Sequence, residues 1–75
     1  MNKIRRKQLS KWLENIEVIK RELEEICSDE QDYFDNMPEN LQGSQRGMDA
    51  EEVIEQMNDA ISSIEEVIDI VSNIV

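Results

Sequence analysis

An all-α fold, an antiparallel two-helix hairpin of the coiled-coil type, is what this sequence predicts, and three observations predict it. Two long segments repeat apolar residues at alternating steps of three and four. The chain's backbone breakers, Pro38, Gly43 and Gly47, all fall in the short stretch between those segments. The chain is 75 residues long, room for a single domain and close to the lower limit at which one apolar core holds a fold. Charged residues make up 35% and apolar ones 39%, with Trp12, Tyr33 and Phe34 the only aromatics, a balance that fits helices packed on helices.

The first helix is expected over about residues 3–36. Its apolar positions run Leu9, Trp12, Ile16, Ile19, Leu23 and Ile26, then Glu30, Tyr33 and Met37, a heptad seam with one polar interruption at Glu30. That interruption either reaches water near the edge of the hairpin or fixes register, since a lone polar seam residue is a device for choosing one pairing. A turn is expected over 37–48. Pro38 disfavours helix at Met37 and fits the first turn of a new short helix, and Gly43 suits a left-handed helix end. The second helix is expected over about 49–74, opened by a capping box in the run Asp49 to Glu52, with a start at Ser44 as the alternative. That alternative places Gly47 inside the helix at a cost of about 1 kcal/mol relative to alanine. Its seam runs Gly47, Ala50, Ile54, Met57, Ile61, Ile64, Ile68, Val71 and Val75.

Pairing the two seams outward from the turn sets Met37 beside Ala50, Tyr33 beside Ile54, Glu30 beside Met57, Ile26 beside Ile61 and Trp12 beside Val75. Residues 1–11 then overhang the end of the second helix, and they carry Lys3, Arg5, Arg6, Lys7 and Lys11 without an acid. The rest of the chain carries all 18 acids against Lys20, Arg21 and Arg46, within a net charge of −10. Further apolar residues flank the seams: Leu13, Cys27 and Phe34 on the first helix, and Val53, Ala60, Val67 and Ile74 on the second. Faces this wide call for cover, and a homodimer forming a helical bundle is the simplest source of it.

The composition argues against an enzyme. There is no histidine, which removes the commonest general base and the commonest transition-metal ligand. One cysteine without histidine makes neither a zinc site nor a cysteine-histidine catalytic pair, and no glycine-rich phosphate loop follows a strand. Cys27 reads as a small buried hydrophobe, since its acidic neighbours argue against a reactive thiol, and a lone cysteine fits a reducing, cytoplasmic setting. Asp29, Glu30, Asp32 and Asp35 offer oxygen ligands, but the spacing and central glycine of a calcium-binding loop are missing. No cofactor or metal is expected, and no apolar run suits a membrane span or a secretory signal.

The basic segment invites a nucleic-acid reading through Lys3, Arg5, Arg6 and Lys7, with Trp12 as a stacking ring. The acidic body repels the same polyanion, and the heptad position of Trp12 makes it core. The acidic faces support a different idea: carboxylates on a rigid hairpin resemble a row of phosphates and suit the groove of a nucleic-acid-processing protein.

The stretch 30–47, with Tyr33, Phe34, Asp35, Asn36, Met37, Pro38, Glu39, Asn40, Leu41, Gln42, Gly43, Ser44 and Arg46, resembles small acidic helical-hairpin proteins encoded by phages and prophages of Gram-positive bacteria. The similarity covers about residues 20–70, and Gln45 departs from it where an acid is common. The resemblance implies no activity, catalytic residue or cofactor. It implies a mobile-element setting in a bacterial host, where small acidic proteins interfere with host enzymes or defence systems. The expected function is therefore a non-enzymatic interaction protein that binds and inhibits a host or defence protein through Glu51, Glu55, Glu65 and Glu66 and through Tyr33, Phe34, Asn40 and Arg46 at the turn. An oligomeric scaffolding protein is the alternative, and nucleic-acid binding through the basic segment is a more distant one.

Overall fold

A computed structural model describes residues 1–75 as three helices and no strand: α1 (Lys3–Asp35), the single turn α2 (Glu39–Gln42) and α3 (Gln45–Ser72). α1 and α3 pack antiparallel along their lengths, and α2 closes the turn against α3. The hairpin is elongated, with extents of 58 × 15 × 12 Å. Its radius of gyration is 17.2 Å, where a compact chain of this length would have about 11 Å.

Each helix end has a local cause. Asn2 caps α1, its Oδ1 accepting the backbone N–H of Arg5 at 2.8 Å. α1 stops two residues before Met37, whose position ahead of Pro38 disfavours helix, and the Met37 side chain folds inward to be buried. Pro38 is extended (φ −57°, ψ 149°), and its carbonyl accepts from Leu41 and Gln42 to make α2. The Gln42 amide then donates to the carbonyls of Phe34 (3.3 Å), which also accepts from the Met37 N–H, and of Met37 (3.2 Å), tying α2 to the end of α1.

α3 begins at Gln45, four residues before the start that the capping-box pattern favours, so the alternative reading with Ser44 as the capping position describes the chain. Asp49 caps nothing; its carboxylate accepts from the Gln45 side chain at 2.7 Å within the first turn. Gly47 is what makes the earlier start workable. A Cβ there would lie 2.1 Å from the carbonyl oxygen of Gln42, so α2 and α3 approach too closely at this point for any side chain. Gly43 is not left-handed, contrary to expectation. Its φ is −83°, because α2 passes into α3 through one extended residue, Ser44, and no reversed turn is needed.

The seam of α3 runs as expected, with Gly47, Ala50, Ile54 and Ile61 buried and Met57, Ile64, Ile68 and Val71 half-buried, although Val75 is exposed. The seam of α1 is a correction. Leu9, Ile16, Leu23, Glu30 and Met37 do turn inward, but the positions between them are Leu13, Lys20, Cys27 and Phe34, not Trp12, Ile19, Ile26 and Tyr33. Both sets alternate with the shared residues at steps of three and four, so the helix turns by about half a residue, ~50°, which exchanges one set for the other and keeps the shared residues inward. The core is Cys27 with Ile54 and Ile61, covered by Leu23, Phe34 and Met57. Trp12, Ile19, Ile26 and Tyr33 remain 41%, 55%, 57% and 47% exposed.

Two polar contacts hold the pairing level. Lys20 meets Glu65 at 3.4 Å, and the Cys27 thiol donates to Asn58 Oδ1 at 3.6 Å. Both partners lie two residues nearer the turn than the expected pairing, which sets Lys20 level with Val67 and Cys27 level with Ala60, so the height of α1 agrees to within about 3 Å while its rotation does not. At the open end the Arg6 guanidinium donates to the Ile74 carbonyl at 3.1 Å. The basic segment is therefore tied back onto α3 and does not hang free along its whole length.

Candidate protein-contact surfaces

The rotation of α1 gives the hairpin two unlike sides. On one side lie two apolar rows at heptad spacing, Trp12, Ile19, Ile26 and Tyr33 from α1 and Val53, Ala60, Val67 and Ile74 from α3, all exposed. Tyr33 and Val53 line a single shallow groove with Glu30, Arg46, Asp49 and Ala50, which places the two rows on the same side of the seam. On the other side, Gln31, Phe34, Glu51, Glu55, Asn58 and Asp59 line one groove, continued by Glu24, Ser28 and Cys27 toward the middle of the hairpin. The grooves on that side are lined by carboxylates and amides, with Phe34, Ile54 and Ile61 at their floor.

Of the residues picked out from the sequence, the structure brings Glu51 and Glu55 together and adds Asp59, Asn58, Gln31 and Glu24, none of which sequence reasoning singled out. Their signal was present in the four-residue steps from Glu51 to Glu55 to Asp59, which place carboxylates on one helix face. Glu65 lies apart, paired with Lys20, and Glu66 is exposed one position further round. The four glutamates therefore do not form one patch. Tyr33 and Phe34 also separate, because adjacent residues of a helix diverge by about 100°: Tyr33 goes to the apolar side with Arg46, and Phe34 goes to the acidic side. Asn40 is exposed on α2.

In the basic segment Lys3, Arg5, Arg6 and Lys7 are all exposed and occupy little more than one turn; Lys3, Arg6 and Lys7 fall within about 100° of one another, and Arg5 lies across the helix from them. Arg5 lines a groove with Met1, Gln8, Leu9 and Trp12, and Arg6 is engaged by the Ile74 carbonyl. Trp12 was expected in the core and is exposed, lining that groove beside Leu9. No three His, Cys, Asp or Glu side chains converge as a cation site, since the acidic stretch around Asp29 to Asp35 is regular helix and sends its carboxylates in different directions. No helix is long and apolar enough to cross a membrane. Comparison with protein-family models, with curated proteins and with solved structures finds no match to this chain.

Proposed function

We propose that the chain is a non-enzymatic interaction protein that binds, and by binding inhibits, a host or defence protein in the cytoplasm of a bacterial cell, in keeping with its resemblance to phage-encoded acidic hairpins. The observation that carries this reading is the separation of the two sides: an acidic groove at Glu51, Glu55 and Asp59 opposite a broad apolar face. The acidic side suits a basic surface, and a nucleic-acid-processing enzyme offers one in its substrate groove. The apolar side serves self-association into a helical bundle, which presents two acidic sides at once. A purely structural, scaffolding role is the second reading, and the same apolar face favours it.

The test is affinity capture from nuclease-treated host lysate with the native chain and with Glu51→Lys/Glu55→Lys, whose helicity is checked by circular dichroism. One enzyme recovered by the native chain and lost on charge reversal supports inhibition, and activity of that enzyme is then assayed with and without the hairpin. Recovery of the same proteins by both chains, or of none, refutes the acidic contact and leaves the scaffolding role. Nucleic-acid binding by the native chain that disappears on deleting residues 1–8 would overturn both.

A further inference from the structure

We infer that the apolar side is covered by a second copy of this chain laid upon it upside down, the basic open end of each hairpin resting on the acidic turn end of the other. This rests on the self-association proposed above and adds its face and its orientation.

Area is the first argument. The hairpin has an accessible surface of 5777 Å² and buries only six residues, whereas a compact monomer of this size exposes about 4,800 Å². The excess of roughly 1,000 Å² is comparable to the ~800 Å² that each partner buries in a stable interface. The exposed rows reach from Trp12 to Tyr33, about 30 Å of helix, and two helices side by side about 10 Å apart give a platform close to that area.

Symmetry is the second. Inverting one copy about an axis across the middle of the face sets α1 on α1. Trp12 then meets Tyr33 of the other copy and Ile19 meets Ile26. The midpoint of that row, between residues 22 and 23, lies level with residues 62–63 of α3, because Lys20 pairs with Glu65 and Cys27 with Asn58. The midpoint of the row from Val53 to Ile74 falls one residue away, at 63–64, so one axis serves both helices to within about 1.5 Å and Ala60 meets Val67. The interface is then isologous and closes on itself.

Charge decides between this arrangement and its parallel counterpart, in which the two turns lie at the same end. Residues 24–63, the turn half, carry twelve acids against Arg46, a net −11, and the open half made of residues 1–23 and 64–75 carries +1. A parallel pair sets the two strongly negative halves side by side. The inverted pair separates them and lays the open half of each copy, with Arg5 on the row of Trp12, over the acidic turn half of the other.

The experiment has two readouts. Mass is measured by sedimentation equilibrium at tens of micromolar for the native chain and for Ile26→Glu, which changes a side chain that is 57% exposed in the hairpin. Orientation is measured by pulsed electron paramagnetic resonance on Ser10→Cys in a Cys27→Ala background, labelled at residue 10, which shares the acidic-side row of Glu24 and Gln31 and lies away from the face. A native dimer, at least a tenfold weaker one in the variant, and labels about 40 Å apart support the proposal, against ~25 Å for the parallel pair. A monomeric native chain overturns the proposal together with self-association, and a monomer in stoichiometric complex with a different protein assigns the face to that partner. A dimer indifferent to Ile26→Glu overturns the face but leaves self-association standing. The short label distance overturns the orientation alone.

Discussion

Gly47 is the residue on which the turn depends most directly. Its missing side chain lets the first turn of α3 touch the Gln42 carbonyl, which allows α3 to start at Gln45 with Ser44 at the N-cap position, its hydroxyl turned back to the Leu41 carbonyl. In an open helix Gly→Ala stabilises by about 1 kcal/mol. Here the added methyl would have to push backbone away, so Gly47→Ala is expected to lower stability by about 1–3 kcal/mol. Gly43→Ala is the control: that Cβ would meet nothing within 4 Å and φ is −83°, so a gain of about 0.5 kcal/mol is expected from the stiffer unfolded chain. Urea unfolding of both variants at one concentration checks the pair, and equal stability of Gly47→Ala and the native chain would refute the close approach. Gly47 also explains why the helix start was hard to read. The capping-box spelling of Asp49 to Glu52 is a valid local signal, and nothing local says that a glycine two residues earlier is required inside the helix by packing against Gln42.

Among the elements, α1 shows how far periodicity reaches and where it stops. That it is a helix, that it pairs with α3, and at what height, were all legible from the spacing of apolar residues and the cluster of breakers. Its rotation was not. The shared residues Leu9, Ile16, Leu23, Glu30 and Met37 can be joined by the row through Trp12 and Ile19 or by the row through Leu13 and Lys20, and the lysine makes the second row look the worse choice. Lys20 is accommodated because its stem lies along the seam while its amine reaches Glu65, a partly exposed pair whose net contribution is at most about 1 kcal/mol. Lys20→Leu is therefore expected to stabilise the hairpin by about 1 kcal/mol, since apolar burial exceeds such a pair. A loss of stability in urea would instead make the ion pair essential to the rotation. The opposite end of α1 acts on α3: Arg6 partners the Ile74 carbonyl past the last turn, where no basic residue of α3 itself is present. Arg6→Ala is expected to speed amide exchange severalfold over the last turn of α3 with a global change under about 1 kcal/mol. Unchanged exchange there would mean that the contact is incidental.

At the scale of the whole molecule, a rod 58 Å long with a single seam has little core for its length. Only Cys27, Ile54 and Ile61 form a buried cluster between the two long helices, and no side chain is completely enclosed. Fully burying one aliphatic side chain is worth about 1.5–3 kcal/mol, so two isoleucines and a cysteine offset only a small part of the ordering entropy of two long helices. The apolar rows left outside the seam carry as many aliphatic and aromatic groups again, and the fold gains most if they are covered. If a second copy covers them, folding and association are one equilibrium and apparent stability must rise with concentration. Each tenfold increase in total chain then adds about 1.4 kcal/mol at the same denaturant, and the thermal midpoint climbs with it. Thermal unfolding between one and one hundred micromolar checks this. A midpoint independent of concentration, with a native mass equal to one chain, would show that the single seam suffices and that the apolar rows serve a different partner.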